Sequence, residues 1–227
     1  MARSGRCSLR NHPMSSNDYC AVCFDVGSTL IFAHPSVSHV CREVLAEYGH
    51  EHDLEAIDAL MPLVDAYYED RYKADDTFWT SEEETSSVWV GMYSLLCRKL
   101  GIEDRAEEIA RRVYDEFGFP RRWKAWDDVA PALKRLKERG MHTAIVSNWD
   151  RRLAGLLDGL GLGQYIDTVV SSADVGLRKP DPRIFEVALG RIGCEPGHCI
   201  HVGDHPYADA LGASAIGMRP VLIDRWG

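Results

Sequence analysis

The sequence of 227 residues has no long hydrophobic run, no cluster of positive charge, no internal repeat and no low-complexity tract. Its longest nearly apolar stretch, Val88 to Cys97, is far shorter than the roughly 18 apolar residues that a membrane-spanning helix needs. The formal net charge is −9 and 45% of the residues are hydrophobic, which is typical of a globular protein. These absences exclude an integral membrane protein and a disordered chain. The length predicts one large domain, or one domain that carries a smaller insert.

The negative charge is concentrated in one part of the chain. Residues 51–120 contain 18 acidic and 7 basic side chains, a net charge of −11, whereas the rest carries +2. Such a surface repels the phosphate backbone of nucleic acids, and no stretch offers the clustered Lys and Arg that binding them requires. We therefore expect neither a nucleic-acid partner nor a membrane partner.

Cysteine is scattered and odd in number, which indicates reduced thiols in the cytoplasm rather than a disulfide framework. Cys20 and Cys23 have the spacing of a metal or redox pair. However, they lie in a run that reads as a strand, where residues three apart face opposite sides, so we predict buried thiols. The seven positions are Cys7, Cys20, Cys23, Cys41, Cys97, Cys194 and Cys199.

The first 17 residues contain three arginines and several serines but lack the apolar stretch of a secretory signal. We expect a flexible leader, or an over-long start with Met14 as the true first residue. A short organelle-targeting segment is the alternative.

The pattern of apolar residues changes twice along the chain. Residues 20–24 read as a buried strand, and residues 36–117 show helical periodicity that predicts three to five helices. From about Trp126, helices alternate with short apolar strands, which predicts a mostly parallel sheet with helices on both faces. The predicted helices are 129–139, 152–160, 182–192 and 208–216, and the predicted strands are 143–146, 168–170, 200–202 and 220–223.

Polar side chains stand at the ends of these strands, where parallel sheets bind their ligands. They are Asp25, Ser147 with Asn148, Lys179, Asp204 and Asp209. Carboxylates can act as nucleophiles or hold Mg²⁺, and a lysine and a hydroxyl can bind phosphoryl oxygens, so the set indicates phosphoryl transfer. Helix capping is the competing interpretation of Ser147 and Asn148.

Four motifs in this order resemble the haloacid dehalogenase superfamily of hydrolases over residues 20–223. They are Cys-Phe-Asp25-Val-Gly-Ser-Thr-Leu, Ile-Val-Ser147-Asn, Arg-Lys179-Pro-Asp-Pro-Arg-Ile-Phe and His-Val-Gly-Asp204-His-Pro-Tyr-Ala-Asp209. The resemblance implies a Rossmann-like α/β core of three layers, formed by residues 18–32 and 123–227. It also implies a small inserted α-helical cap at residues 33–122 and a Mg²⁺-dependent phosphatase of small phosphorylated metabolites. We expect a monomer or homodimer.

The resemblance implies a role for each matching residue. Asp25 would attack phosphorus, form an aspartyl-phosphate and ligate Mg²⁺. The Gly27 carbonyl and Asp204 would complete the protein ligands of the metal.

The remaining residues would bind the phosphoryl group or position its ligands. Ser147, Asn148 and Lys179 would contact the group, with Lys179 also offsetting charge between carboxylates. Asp209 would orient Lys179 or hold metal-bound water.

One position departs from the pattern, since phosphatases of this family usually carry an acid–base aspartate where this chain has Gly27. General acid–base catalysis contributes about 10²–10⁴-fold, so its absence predicts slower turnover or a different preferred leaving group. Two alternatives remain: a metal-independent 2-haloacid dehalogenase, and a silent fold that binds a phosphorylated ligand or a protein. A Schiff-base role for Lys73 and a zinc site at His198, His201 and His205 find little support, and we expect His201 to be a core residue.

The predicted cap is rich in aromatic residues at helical spacing. We expect most of them to pack between helices and one or two to face the active site. They are Tyr67, Tyr68, Tyr72, Phe78, Trp79, Trp89 and Tyr93.

Overall fold

The structure is a computed structural model that describes residues 19–226. The predicted leader, residues 1–17, and Cys7 lie outside the described residues. No helix of the described part is long and apolar enough to cross a membrane.

The elements follow one another in an α/β order. The strands are β1 (Ala21–Phe24), β2 (Ile31–Ala33), β3 (Trp123–Ala125), β4 (His142–Ser147), β5 (Thr168–Ser171), β6 (Cys199–Gly203) and β7 (Arg219–Leu222). The α-helices are α1 (Val37–Glu47), α2 (Leu54–Asp58), α3 (Met61–Ala74), α4 (Glu82–Lys99), α5 (Ala106–Glu116), α6 (Val129–Glu138), α7 (Leu153–Gly159), α8 (Ser172–Val175), α9 (Pro182–Ile192) and α10 (Gly212–Ala215).

The central sheet has five parallel strands in the order β5-β4-β1-β6-β7. All four residues of β1 are buried, because this central strand is covered on both faces. Its side chains alternate between two hydrophobic clusters: Cys23 packs with residues of α9, and Val22 packs with residues of α6 and α7. The predicted Rossmann-like core of three layers is therefore confirmed.

Local signals explain why α9 has the bounds that the sequence predicts. The Asp181 side chain caps its first turn by accepting the Arg183 N–H at 3.0 Å, and Pro182 occupies the first helical position. Gly193 ends the helix with φ +69°, a left-handed conformation that favours glycine. The helix therefore begins and ends at Pro182 and Ile192 as expected.

Five α-helices, α1 to α5, lie between β2 and β3 and have a hydrophobic core of their own. We call residues 37–116 the helical insert. In α4, the Ser81 hydroxyl caps the first turn by accepting the Glu84 N–H at 3.1 Å. Acidic residues at its start and basic residues at its end suit the helix dipole. The number of helices agrees with the prediction of three to five.

Two local predictions are wrong. The first is the single helix at 208–216, because the chain forms a π-helix, Pro206–Leu211, followed by the short α10. The wide turn of a π-helix is frequent at functional sites, and this one carries Asp209. The structure also adds an antiparallel pair, β2 with β3, that joins the insert to the core. Three-residue strands carry too little periodicity to be read from the sequence.

The second wrong prediction is that every cysteine is a free thiol. Cys20, one residue before β1, forms a disulfide with Cys194, which directly follows the end of α9. The two positions are 174 residues apart in sequence, so only the packing of α9 beside β1 brings them together. The free cysteines of the described chain are all buried: Cys23, Cys41, Cys97 and Cys199.

Candidate active site

The carboxyl ends of the central strands bring the predicted residues together at one edge of the sheet. Asp25 directly follows β1, Ser147 ends β4, and Asp204 directly follows β6. Because these strands are parallel neighbours, their polar ends meet at a common rim.

Asp25 lies at the centre of this rim and is buried, with 7% of its surface exposed. Its Oδ1 accepts hydrogen bonds from the Ser147 hydroxyl at 2.9 Å and from Lys179 Nζ at 2.5 Å. Its backbone N–H donates to the Val202 carbonyl at 2.9 Å, which extends the pairing with β6. The carboxylate is therefore held in a fixed position by both neighbouring strands.

Lys179 is buried between two carboxylates. Its Nζ also donates to Asp209 Oδ1 at 2.6 Å. Burial disfavours the charged ammonium, but the attraction of Asp25 and Asp209 outweighs it and raises the pKa of Lys179. The lysine is therefore charged at neutral pH and offsets negative charge beside Asp25.

Both carboxylate oxygens of Asp209 accept hydrogen bonds from other residues of the protein. Its Oδ1 also accepts from His201 Nε2 at 2.8 Å, and its Oδ2 accepts the His205 N–H at 3.0 Å. Burial opposes its ionisation, but Lys179 and His201 hold its pKa well below the usual range. Since the ionised carboxylate can only accept, Nε2 of His201 carries the hydrogen. Asp209 thus positions Lys179.

Gly203 has no side chain, and this allows Asp209 to come close to the end of β6. A Cβ on Gly203 would lie 2.2 Å from Asp209 Cγ, a distance that atoms of neighbouring residues do not reach. Glycine therefore allows the Asp209 carboxylate to lie against the end of β6.

Asp204 is the most open acid of the rim. Its Oδ1 accepts only a long hydrogen bond from the Thr29 hydroxyl, at 3.4 Å. Partial burial and the negative charges of Asp25 and Asp209 raise its pKa. Oxygen atoms of these three carboxylates lie within 4.8 Å of one another, and hard oxygen donors suit Mg²⁺. The donor set therefore fits this cation.

Asn148 lies at the site but its side chain is used elsewhere. Its Oδ1 accepts the Lys179 backbone N–H at 2.7 Å, and its Nδ2 donates to the Lys179 carbonyl at 3.1 Å. Both ends of the amide thus clamp the loop that carries the lysine. The predicted contact of residue 148 with phosphate would therefore come from its backbone N–H.

Gly27 lies beside Trp149. A Cβ on Gly27 would lie 3.4 Å from Cζ3 of that indole ring, and Gly27 does not have a positive φ. A side chain at this position would therefore not be strained by a left-handed backbone. The site contains no side chain where the acid–base aspartate of related phosphatases stands.

A cavity of about 760 Å³ opens above Asp25, between the sheet edge and the helical insert. The strand-end residues Asp25, Ser147 and Asp204 form one part of its wall. Aromatic rings from the core and from the insert form much of the rest, among them Phe32, Tyr68, Trp79, Trp89, Tyr114, Phe117, Trp123, Trp149 and Trp226.

Polar contacts hold the insert against the core beside this cavity. Arg178, next to Lys179, forms an ion pair with Asp76, in the turn between α3 and α4. Glu82, the first residue of α4, accepts the Arg151 N–H at 2.9 Å. These two contacts therefore fix the insert to the core next to the cavity.

Several functional neighbours were not identified from the sequence. Thr29, Trp149 and the Asp150–Arg152 pair lie within or next to the recognised motifs, and this proximity was the available signal. His201 was expected in the core and is indeed fully buried, but its hydrogen bond to Asp209 depends on a contact between strand and π-helix. Periodicity alone does not reveal such a contact.

A parallel sheet between helical layers, with carboxylates and a buried lysine at its carboxyl edge, places the protein in the class of Rossmann-like α/β proteins with an acidic strand-end site. The family profile of haloacid dehalogenase-like hydrolases matches residues 19–217. The chain belongs to this family, as its motifs predict.

Similar proteins include several whose names give an activity. The chain is 32% identical to human haloacid dehalogenase-like hydrolase domain-containing protein 3 over 207 residues, 88% of this chain and 80% of that protein. The match to the mouse protein of the same description is 43% identical and spans 46% of its length. Glyceraldehyde 3-phosphate phosphatase of Methanopyrus kandleri is 29% identical over 90% of this chain and 84% of that protein. A crystal structure of a HAD phosphatase from Thermococcus onnurineus has a TM-score of 0.60 at 25% identity, covering 91% of this chain and 87% of that one.

Proposed function

We propose that the protein is a Mg²⁺-dependent phosphomonoester hydrolase that acts on a small phosphorylated molecule through an aspartyl-phosphate on Asp25. The observation that carries this proposal is the placement of the Asp25 carboxylate between the Ser147 hydroxyl and Lys179 Nζ, at 2.9 and 2.5 Å. A nucleophile, two phosphate-binding donors and an acidic metal site at one rim form the set that phosphoryl transfer needs. The phosphatases among its relatives support the same reaction class.

The reaction would proceed in two displacements. An Asp25 carboxylate oxygen forms a bond to phosphorus as the bond to the leaving oxygen breaks, and the leaving oxygen takes its proton from water. A water molecule then forms a bond to phosphorus as the bond from phosphorus to the Asp25 oxygen breaks. Its proton passes to solvent, inorganic phosphate leaves and Asp25 is restored as a carboxylate. Ser147 and Lys179 donate hydrogen bonds to the phosphoryl oxygens in both steps.

Asp25, Asp204 and the Gly27 carbonyl would hold Mg²⁺. Bound there, the cation would draw charge from the phosphoryl oxygens and reduce the repulsion between the carboxylate nucleophile and an anionic substrate. Burial and the charges of Asp25 and Asp209 raise the pKa of Asp204, and such a cation would offset this negative charge.

The proposal extends to domain organisation. Residues 18–32 and 123–227 would form the catalytic core, and residues 33–122 would form a cap over it, acting as a lid. We propose a monomer or homodimer in the cytoplasm that binds neither nucleic acid nor membrane. The Cys20–Cys194 disulfide removes one argument for that location, since disulfides are rare in the cytoplasm.

The test is Asp25→Asn, assayed with p-nitrophenyl phosphate in the presence and absence of Mg²⁺. The amide keeps the shape of the side chain but is neither an anionic nucleophile nor an anionic ligand, so turnover should be lost while circular dichroism stays unchanged. Asp58→Asn, an exposed change in α2 purified in the same way, should keep wild-type activity.

Each other outcome contradicts a defined part of the proposal. Near-normal activity of Asp25→Asn would exclude the aspartyl-phosphate mechanism. Turnover of 2-haloacids without any metal requirement would favour the dehalogenase alternative, and no turnover of either substrate by the wild type would favour a silent binding fold.

A further inference from the structure

The cavity above Asp25 is much larger than a phosphoryl group. Its volume of about 760 Å³ lies within the range of roughly 300–1,000 Å³ that is typical of sites for drug-sized ligands. A phosphate ester of a two- or three-carbon alcohol would fill only a small part of this cavity. The size therefore favours a bulky leaving group.

A continuous series of contacts between aromatic rings runs along the cavity wall, beginning at the part nearest to Asp25. Trp149, beside Gly27, has its ring centroid 5.1 Å from that of Trp123, which lies 5.7 Å from that of Phe117, the residue that follows the insert. On another wall, Tyr68 stacks on Trp89 with centroids 5.8 Å apart. Rings at these distances offer faces and edges that accommodate a further ring. The walls therefore suit a planar aromatic group.

Among the described residues that line the cavity, no basic side chain is left unpaired to bind a second anionic group of the substrate. Among the described residues that line it, the basic side chain is Arg152. Its guanidinium donates to Asp150 at 3.0 and 2.6 Å and to the Tyr114 carbonyl at 2.9 Å. Because the Asp150 carboxylate offsets the charge of this guanidinium, a carboxylate on the leaving group would meet no net positive charge there.

A negative charge is available in the same wall. Glu69, on α3, lines the cavity and is exposed, and its contact with Lys73 is an exposed pair at 3.5 Å that screens it weakly. The Glu69 carboxylate would repel an anionic leaving group and attract a cationic one.

We propose that the site takes phosphomonoesters of planar aromatic alcohols that are uncharged or cationic, and discriminates against leaving groups that carry a carboxylate. This inference rests on the proposed phosphatase function. It adds a substrate class that neither the motifs nor the names of the relatives provide.

The test compares phosphate esters of primary alcohols: 2-naphthylmethyl, benzyl, 4-carboxybenzyl and n-propyl phosphate. Their leaving oxygens are all alkoxides, so differences in kcat/KM report mainly binding of the leaving group. We expect 2-naphthylmethyl phosphate to exceed n-propyl phosphate by about tenfold or more, and benzyl to exceed 4-carboxybenzyl phosphate by about tenfold.

Two variants connect these preferences with the cavity. Glu69→Gln should raise the ratio of 4-carboxybenzyl to benzyl phosphate about threefold, whereas Asp70→Asn, its exposed neighbour outside the cavity, should leave that ratio unchanged. Trp89→Leu should lower kcat/KM for the naphthylmethyl ester more than for the propyl ester, with circular dichroism as the check on folding.

The outcomes separate this inference from the proposed function. If n-propyl phosphate is hydrolysed as well as the naphthylmethyl ester, the inference is wrong and the phosphatase function stands. If 4-carboxybenzyl phosphate is preferred over benzyl phosphate, the inference is also wrong, and the phosphatase function again stands. If the Mg²⁺-loaded wild type hydrolyses neither these esters nor p-nitrophenyl phosphate, the proposed function itself is wrong.

Discussion

At the scale of single residues, Gly27 would decide how the leaving oxygen obtains its proton in the proposed phosphatase reaction. No side chain at this position can donate one, and the neighbouring Trp149 ring is apolar at the atom that faces it. Water must therefore supply the proton, which disfavours strongly basic leaving groups.

Replacing Gly27 with Asp should raise kcat/KM for n-propyl phosphate about tenfold or more and change that for p-nitrophenyl phosphate little. Proton donation matters most where the leaving oxygen is most basic. The backbone accepts a side chain because φ is not positive, and the new Cβ would be in contact with Trp149 at 3.4 Å. Steady-state rates on both substrates check this.

Circular dichroism and Mg²⁺ affinity should accompany these rates, since a distorted site would mimic a failed rescue. Equal changes on both substrates, in a folded variant that binds metal, would mean that the missing side chain does not limit this enzyme.

Gly203→Ala tests a second glycine of the site, one that the packing of Asp209 requires. The new Cβ would lie 2.2 Å from Asp209 Cγ, so the carboxylate must move and release Lys179. We expect kcat/KM for p-nitrophenyl phosphate to fall about ten- to hundredfold, as is usual when a partner of a metal or phosphate ligand is displaced. Gly190→Ala in α9, where a Cβ meets no atom within 4 Å, is the matched control and should keep full activity. Wild-type activity of Gly203→Ala would contradict the positioning role of Asp209.

At the scale of secondary-structure elements, the sequence predicted those whose signals are local. The four buried residues of β1 and the caps of α9 are readable because each depends on neighbouring residues. The network of Lys179, Asp209 and His201 is different, since it joins a loop, a π-helix and a strand. Motifs predicted that the first two residues act together, but not the histidine that shares the carboxylate.

The end of α5 has a buried acid that connects the insert to the strand returning to the core. Glu116 is fully buried and accepts from Arg112 at 2.6 Å, Arg121 at 2.7 Å and Arg122 at 2.6 Å. The last two arginines lie in the turn before β3. The carboxylate therefore fixes the direction in which the chain leaves the insert.

Glu116→Gln should lower the free energy of unfolding by about 3 kcal/mol at pH 7, because the buried amide carries no charge to balance the three arginines that surround it. Burial alone would raise the pKa of Glu116, but Arg112 and Arg122 lower it below its ordinary value of 4.5. The stabilisation is then complete above pH 4.5 and is lost as the pH falls through the lower pKa of the folded state.

Urea unfolding of both proteins from pH 7 to 3 measures this difference. Glu108→Gln, the same change in α5 at an exposed pair with Arg105, is the control and should alter stability little. A difference between wild type and Glu116→Gln that grows on acidification would contradict the assigned direction.

At the scale of the whole molecule, the Cys20–Cys194 disulfide closes a loop that includes the helical insert and most of the core. A cross-link over so long a segment restricts the unfolded chain, and disulfides typically stabilise by about 2–4 kcal/mol. The sequence did not predict this disulfide, because the number and positions of the cysteines do not show that the start of β1 and the end of α9 lie close together.

A third sulfur lies beside this bond. One atom from each of Cys20, Cys194 and Cys199 lies within 4.8 Å of the others. Burial raises the pKa of the Cys199 thiol to about 12, so it is protonated at neutral pH. Because the thiolate is the species that attacks a disulfide, Cys199 does not readily exchange with the bond.

Reduction of the wild type with dithiothreitol should therefore lower the urea midpoint by an amount equivalent to about 2–4 kcal/mol. The double variant Cys20→Ser with Cys194→Ser should show the lower midpoint in both buffers, since it has no disulfide to lose. Phosphatase activity should persist in the reduced protein, because both cysteines lie at the amino end of β1 and beyond α9, away from the carboxyl rim that carries Asp25. If reduction leaves the midpoint unchanged, or if it abolishes activity without unfolding, the bond is not the purely structural cross-link that its position indicates.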